Sequence, residues 1–191
     1  MPKADYFSIE SISQSAWKIY ENWQASMYLV CGSERACLID TGYGGGDLPA
    51  VVRSLTDLPT VVVNTHGHID HVLGNRFFPT VLMHSADHDL YRRVVAGFPQ
   101  YISQPWVRTS FGDIIDTIDL AAVRFAEAKT IAEGDVIDLG GKRLEIFSMP
   151  GHTAGSIILI DRDDKIVYAG DSIMEKLWLF LNNGATAEAY L

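Results

Sequence analysis

The sequence predicts a mixed α/β domain. Three observations carry that. Its first half alternates strand-like and helix-like patterns, its second half is strand-rich with tight polar turns, and Thr60–Asn64 is an unbroken apolar run of the kind found in strands buried on both faces. At 191 residues, 48% hydrophobic and 20% charged, the chain is long enough for one sizeable core and has the balance of a folded protein.

The elements follow in order. Ala16–Tyr20 and Ser26–Cys31 read as strands, followed by Ala36–Asp40. The glycine-rich stretch Thr41–Gly46 is a loop, and Asp47 is an N-cap candidate for a short helix to Leu55. After the Thr60–Asn64 strand comes a dense histidine cluster, then a strand at Thr80–His84. Ser85 is expected to cap a helix running to about Ala96. The segment Phe98–Phe111 mixes aromatics with prolines and reads as packing and loop anchoring, with a substrate lid as the alternative. A helix-like stretch lies near Ile114–Val123. Strands are then expected at Val136–Leu139, Arg143–Ser148, Ser156–Ile160 and Ile166–Ala169.

Composition narrows function by exclusion. The net charge of -9 disfavours nucleic acid and anionic membrane as main partners. No apolar run approaches the roughly 18 residues of a membrane span. Met1–Asp5 lacks the apolar core of a signal peptide, so a cytoplasmic protein acting on a small molecule is expected. Cys31 and Cys37 flank a turn and read as two reduced, packed thiols on adjacent strands. Gly44-Gly45-Gly46 lacks the lysine and hydroxyl residue of a phosphate-binding loop and reads as a flexible turn.

The chemistry concentrates at Thr65-His66-Gly67-His68-Ile69-Asp70-His71, at the C-terminal end of a strand. On an extended loop, residues two apart project to one side, so His66 and His68 can grip one metal ion. Asp70 and His71 leave on another heading and can serve a second ion. Imidazole nitrogens and a carboxylate suit zinc. A tetrahedral catalytic zinc needs a third protein ligand, and His152, in a tight Pro150-Gly151 turn, is the candidate. Asp171 follows another strand, and its two oxygens could bridge two ions. His84 and His88 are four apart but read as solvated or packed.

These segments, in this order, resemble the metallo-β-lactamase fold superfamily: Asp40-Thr41-Gly42, His66-Gly67-His68-Ile69-Asp70-His71, Pro150-Gly151-His152-Thr153-Ala154-Gly155-Ser156 and Gly170-Asp171-Ser172. The resemblance spans nearly the whole chain. It implies an αββα sandwich of two mixed sheets flanked by helices, with a dinuclear site between them. His66, His68 and His152 would hold one metal, Asp70 and His71 the other, and Asp171 would bridge. Because His68 stands where diiron members commonly carry glutamate, zinc is favoured, with manganese and iron as alternatives. The Pro150–Ser156 segment looks most like the glyoxalase-II-type branch. That implies a metal-dependent hydrolase in which metal-bound hydroxide attacks an ester or thioester carbonyl, with Asp70 orienting the nucleophile or relaying its proton.

One departure bears on this expectation. Family hydrolases usually add a late histidine to the second metal, and none of the six histidines here follows Asp171. The domain, residues 1–191, is therefore expected to be incomplete at its C-terminal end, without the last helix and strand. The second metal would then bind weakly. The apolar Leu177–Leu181 would need cover, for which a homodimer is one device. A poorly active or non-catalytic metal-binding or assembly domain is the rival reading.

Overall fold

The structure is a computed structural model, and it describes residues 6–21, 25–116 and 118–174. The apolar Leu177–Leu181 and the helix start expected at Thr186–Leu191 lie outside the described residues.

Eleven strands form two sheets among the described residues. The first sheet runs in chain order through β1 (Phe7–Ser11), β2 (Ala16–Glu21), β3 (Ala25–Cys31), β4 (Ala36–Ile39), β5 (Thr60–Val63), β6 (Val81–Met83) and β7 (Ala128–Thr130). Its β1–β4 half is antiparallel, and β4 through β7 are parallel, so this sheet is mixed. The second sheet, ordered β11-β10-β9-β8, comprises β8 (Val136–Asp138), β9 (Arg143–Ser148), β10 (Ile157–Asp161) and β11 (Ile166–Tyr168). It is antiparallel over these strands.

Side-chain alternation sorts the strands' apolar residues between two layers. Val30, Cys37, Ile39 and Val63 of the first sheet meet Leu144, Ile146, Ile157 and Leu159 of the second in the inter-sheet core. The opposite face of the first sheet, with Met27, Leu29, Leu38 and Val62, packs on Leu48 and Val52 of α1 (Leu48–Leu55). Asp47 caps that helix by accepting a hydrogen bond from the Ala50 N–H at 2.9 Å. The two cysteines fall on opposite sides of the sheet, Cys37 in the inter-sheet core and Cys31 against the helical layer, and both are free thiols.

Four further helices lie on the chain between β5 and β7: α2 (Ile69–Val72), α3 (His88–Ala96), α4 (Phe98–Ile102) and α5 (Pro105–Ile115). The helix expected at Ile114–Val123 is displaced towards the N-terminus. Pro105 is pre-set for a first helical turn, whereas Asp119 bonds the Ala121 N–H with its side chain and makes a turn instead. Ser85 does not cap α3: the chain first makes a short 3-10 turn, Ser85–Asp87, capped by His84. Strands β1 and β7 escaped the sequence reading. β1 is a largely exposed edge and β7 has three residues, so neither shows a clear apolar alternation. No helix among the described residues is long and apolar enough to cross a membrane.

Leu144 is fully buried between the sheets. Leu144→Ala is expected to cost about 2–5 kcal/mol, read as a lower urea midpoint with an unchanged slope.

Candidate metal centre

Four chain segments converge at one edge of the sandwich. β5 delivers His66 and His68 on the loop after Val63, and α2 presents Asp70 and His71. The β9–β10 connection carries His152, and the turn after β11 carries Asp171. That last turn needs Gly170: its φ is 50°, and a Cβ added there would sit 2.8 Å from the Thr65 Cβ.

The structure brings the expected residues together in two overlapping groups. Ligand atoms of His66, His68 and His152 lie within 4.8 Å of one another, as do those of His66, His71 and Asp171. His68 Nδ1 is 2.8 Å from His152 Nε2. Asp171 lies between the groups, one oxygen 3.4 Å from His71 Nε2 and the other 3.4 Å from His152 Nε2. Asp70 approaches the second group through His71, Oδ2 to Nε2 at 3.5 Å. His84 and His88 stand apart: His84 caps the turn after β6, and His88 Nε2 lies 3.3 Å from the Met83 carbonyl.

Proton bookkeeping around Asp40 explains which nitrogens face inward. Asp40 is buried, and its carboxylate accepts from the Thr65 N–H at 2.8 Å and the Thr65 hydroxyl at 2.7 Å. His71 Nδ1 lies 2.8 Å from the same carboxylate and donates to it, which turns Nε2 towards the site. Because the Thr65 hydroxyl gives its proton to Asp40, its oxygen is left to accept from His66 Nδ1 at 3.1 Å. His66 Nε2 is then a bare lone pair, buried and without a hydrogen-bond partner. An orphaned buried acceptor costs about 1–3 kcal/mol, and a cation supplies the partner that the protein withholds. The residues present therefore fit a metal of the zinc type.

Protonation differs between the two groups. Burial, then the charges of His71, His68 and His152, hold His66 well below the usual histidine range. His71 titrates well above it: burial opposes its charge, but Asp40, Asp171 and Asp70 outweigh that cost. Burial also works against the charge of Asp70, yet its bond to His71 prevails and its pKa lies below the ordinary carboxylate value. A metal entering the His66–His71–Asp171 group must thus displace the His71 proton. Apparent affinity there should rise with pH, by about tenfold per pH unit for one proton, and His71→Gln should remove that slope in chelator-competition titrations.

Several supporting residues gave little or no signal in the sequence. Thr41 N–H donates to the His71 carbonyl at 2.9 Å and Asn64 Nδ2 to the same oxygen at 2.9 Å, while Asn75 Nδ2 donates to Asn64 at 2.8 Å. Asp40 was visible only as part of the Asp-Thr-Gly segment. Glu21, on β2, is buried beneath the glycine loop and accepts from Tyr6 Oη at 2.7 Å and from the N–H groups of Gly45 and Tyr43 at 2.6 and 2.5 Å. It thereby fixes Tyr43, whose ring lies near-parallel to Tyr101 at 6.3 Å. Burial, with the nearby charge of Asp70, pushes the Tyr43 phenol up to about 12, so it stays a neutral donor. The aromatic segment is mainly packing, as Phe98 and Ile102 are buried against Leu73.

Burial pushes Glu21 up to about 7, against the hydrogen bonds that favour its charge. A raised carboxyl pKa favours the fold while the group is protonated in both states, and that benefit is lost as pH climbs from about 4.5 to about 7. The stability of the wild type relative to Glu21→Gln should fall across that window, measured by denaturant unfolding at a series of pH values.

Comparison with known proteins agrees with this geometry. The family model of the metallo-beta-lactamase superfamily matches residues 20–188. The chain is 31% identical to acyl-coenzyme A thioesterase MBLAC2 of Gallus gallus, across 92% of this chain and 69% of that protein. It is 29% identical to MBLAC2 of Homo sapiens, over the same shares. Among solved structures, a metallo-beta-lactamase from Pontibacter korlensis aligns with a TM-score of 0.65 at 18% identity, covering 96% of this chain and 81% of that one. The metallo-beta-lactamase IND-7 aligns at 0.66 with 14% identity, covering 98% and 82%. At such identities these structures speak to the fold alone.

Proposed function

The chain belongs to the metallo-beta-lactamase superfamily, and from that premise we propose that it is a metal-dependent hydrolase of thioesters, with acyl-coenzyme A as the substrate class. The observation that carries the reading is the bare, buried Nε2 of His66 facing His68, His152, His71 and Asp171. The substrate class rests on similarity to the MBLAC2 thioesterases. Beside the glycine loop lies a narrow apolar recess lined by Tyr6, Tyr43, Phe98, Tyr101, Ile102 and Val107, with room for little more than a water molecule as it stands, so the substrate class rests on the similarity alone.

His66, His68 and His152 would hold one ion, His71 and Asp70 the other, with Asp171 between them. Zinc is the favoured metal on donor chemistry, with manganese or iron next. When bound, such a cation supplies Lewis-acid activation of water and of the carbonyl at neutral pH.

The chain's own groups do the rest. Asp40 and Thr65 set the tautomers of His71 and His66. Asp70, held ionised and with a side chain 28% exposed, takes the proton of the attacking water. Water oxygen bonds to the carbonyl carbon, the carbon–sulfur bond breaks with its electron pair leaving on sulfur, and Asp70 passes its proton to that sulfur, giving a carboxylic acid and a thiol.

Elemental analysis and thiol release from acyl-coenzyme A test this together. His66→Ala and His152→Ala should each reduce bound metal and cut turnover by more than about 100-fold, beyond the loss typical of an outer-shell change. If neither lowers bound metal, the ligand assignment is wrong. If metal-loaded wild type releases no thiol from any acyl-coenzyme A, the thioesterase reading is lost.

A further inference from the structure

Resting on the metal-centre reading above, we infer that Asp87 is a positioning residue that clamps the two histidine loops to each other across the sheets. Asp87 ends the 3-10 turn after β6 and lies outside every motif the sequence offered. It is 1% exposed. One carboxylate oxygen accepts from the Gly67 N–H at 2.8 Å and from the Thr153 hydroxyl at 2.7 Å. The other accepts from the Gly155 N–H at 2.8 Å.

Those three donors sit beside the ligands. Gly67 lies between His66 and His68, on the loop leaving the first sheet. Thr153 follows His152, on the β9–β10 connection of the second sheet. One buried carboxylate thus spans the two sheets where their histidines must meet. The contact is close: a Cβ on Gly155 would lie 2.7 Å from the Asp87 carboxylate and backbone. The Thr153 hydroxyl donates to Asp87, so it accepts from Ser156 Oγ at 2.8 Å, which extends the clamp down β10.

Among the described residues no lysine, arginine or histidine forms an ion pair with Asp87. Burying a carboxylate on neutral donors alone is costly, and apolar packing would join two loops more cheaply. What the carboxylate adds is direction. Charge-assisted bonds are short and roughly twice as strong as neutral ones, and three of them fix the loops in register. Asparagine cannot reproduce this, because its amide nitrogen would face an N–H donor.

The test is zinc affinity by chelator competition on the full chain, with the visible spectrum of the cobalt-substituted protein as a reporter of ligand geometry. Asp87→Asn should weaken zinc by tenfold to about a hundredfold and change the cobalt bands. Lys142→Met is the control for general destabilisation, since it breaks a buried ion network with Asp161 and Asp164 remote from the histidines. It should lower the denaturation midpoint and leave zinc affinity and the cobalt bands as in the wild type. An Asp87→Asn affinity within about twofold of wild type overturns the clamp, as does an equal affinity loss in Lys142→Met. If Asp87→Asn does not fold, Thr153→Val decides by the same criterion, because it removes one donor and keeps the volume. Wild type that binds no zinc overturns the metal reading and the clamp together. Wild type that binds zinc with both variants unchanged overturns the clamp alone.

Discussion

The buried carboxylate of Asp40 is the interaction on which the rest of the site depends. It accepts from the backbone and side chain of Thr65 and from His71, and so ties the end of β4 to the loop after β5 and to α2. The tie is also electronic. It directs His71 Nε2 inward and, through the Thr65 hydroxyl, leaves His66 Nε2 bare. Asp40 holds this pose with φ at 61°, a left-handed conformation that aspartate tolerates better than most residues.

Burial acts in the same sense on His66 and His71, yet the two end in opposite protonation states. It keeps His66 neutral, and so ready to donate a lone pair. It would do the same to His71, but the acidic ring of Asp40, Asp171 and Asp70 reverses the outcome. The metal-free site thus carries an extra proton, and with it a positive charge, on His71, while His66 stays neutral with its one proton on Nδ1. Two imidazoles with ring centroids 4.1 Å apart are made chemically unlike by what stands behind them.

Much of this was legible in the sequence because the signals were local. The valine run announced β5, the Asp47 cap announced α1, and the histidine spacing announced a cluster of side chains able to hold a metal. The pairing of Asp171 with both His71 and His152 was available only through resemblance, since nothing local places it near either. What stayed hidden depends on distant partners. Glu21 looks like the polar end of a strand until the glycine loop folds over it. Asp87 looks like a helix-start acid, because its partners lie 20, 66 and 68 residues away. The helix expected at Ile114–Val123 failed for the converse reason: Pro105 and Asp119 carried local signals that outweighed the apolar pattern.

The close approach of Gly155 to Asp87 has a consequence for how this sequence can vary. A side chain at position 155 is admissible only where the backbone and carboxylate at position 87 withdraw together, and then Gly67 and Thr153 lose their acceptor as well. Substitutions at these four positions are therefore not independent. A change harmless in a relative whose turn after β6 runs differently would be disruptive here. The four positions form one contact unit, though its members are scattered along the chain.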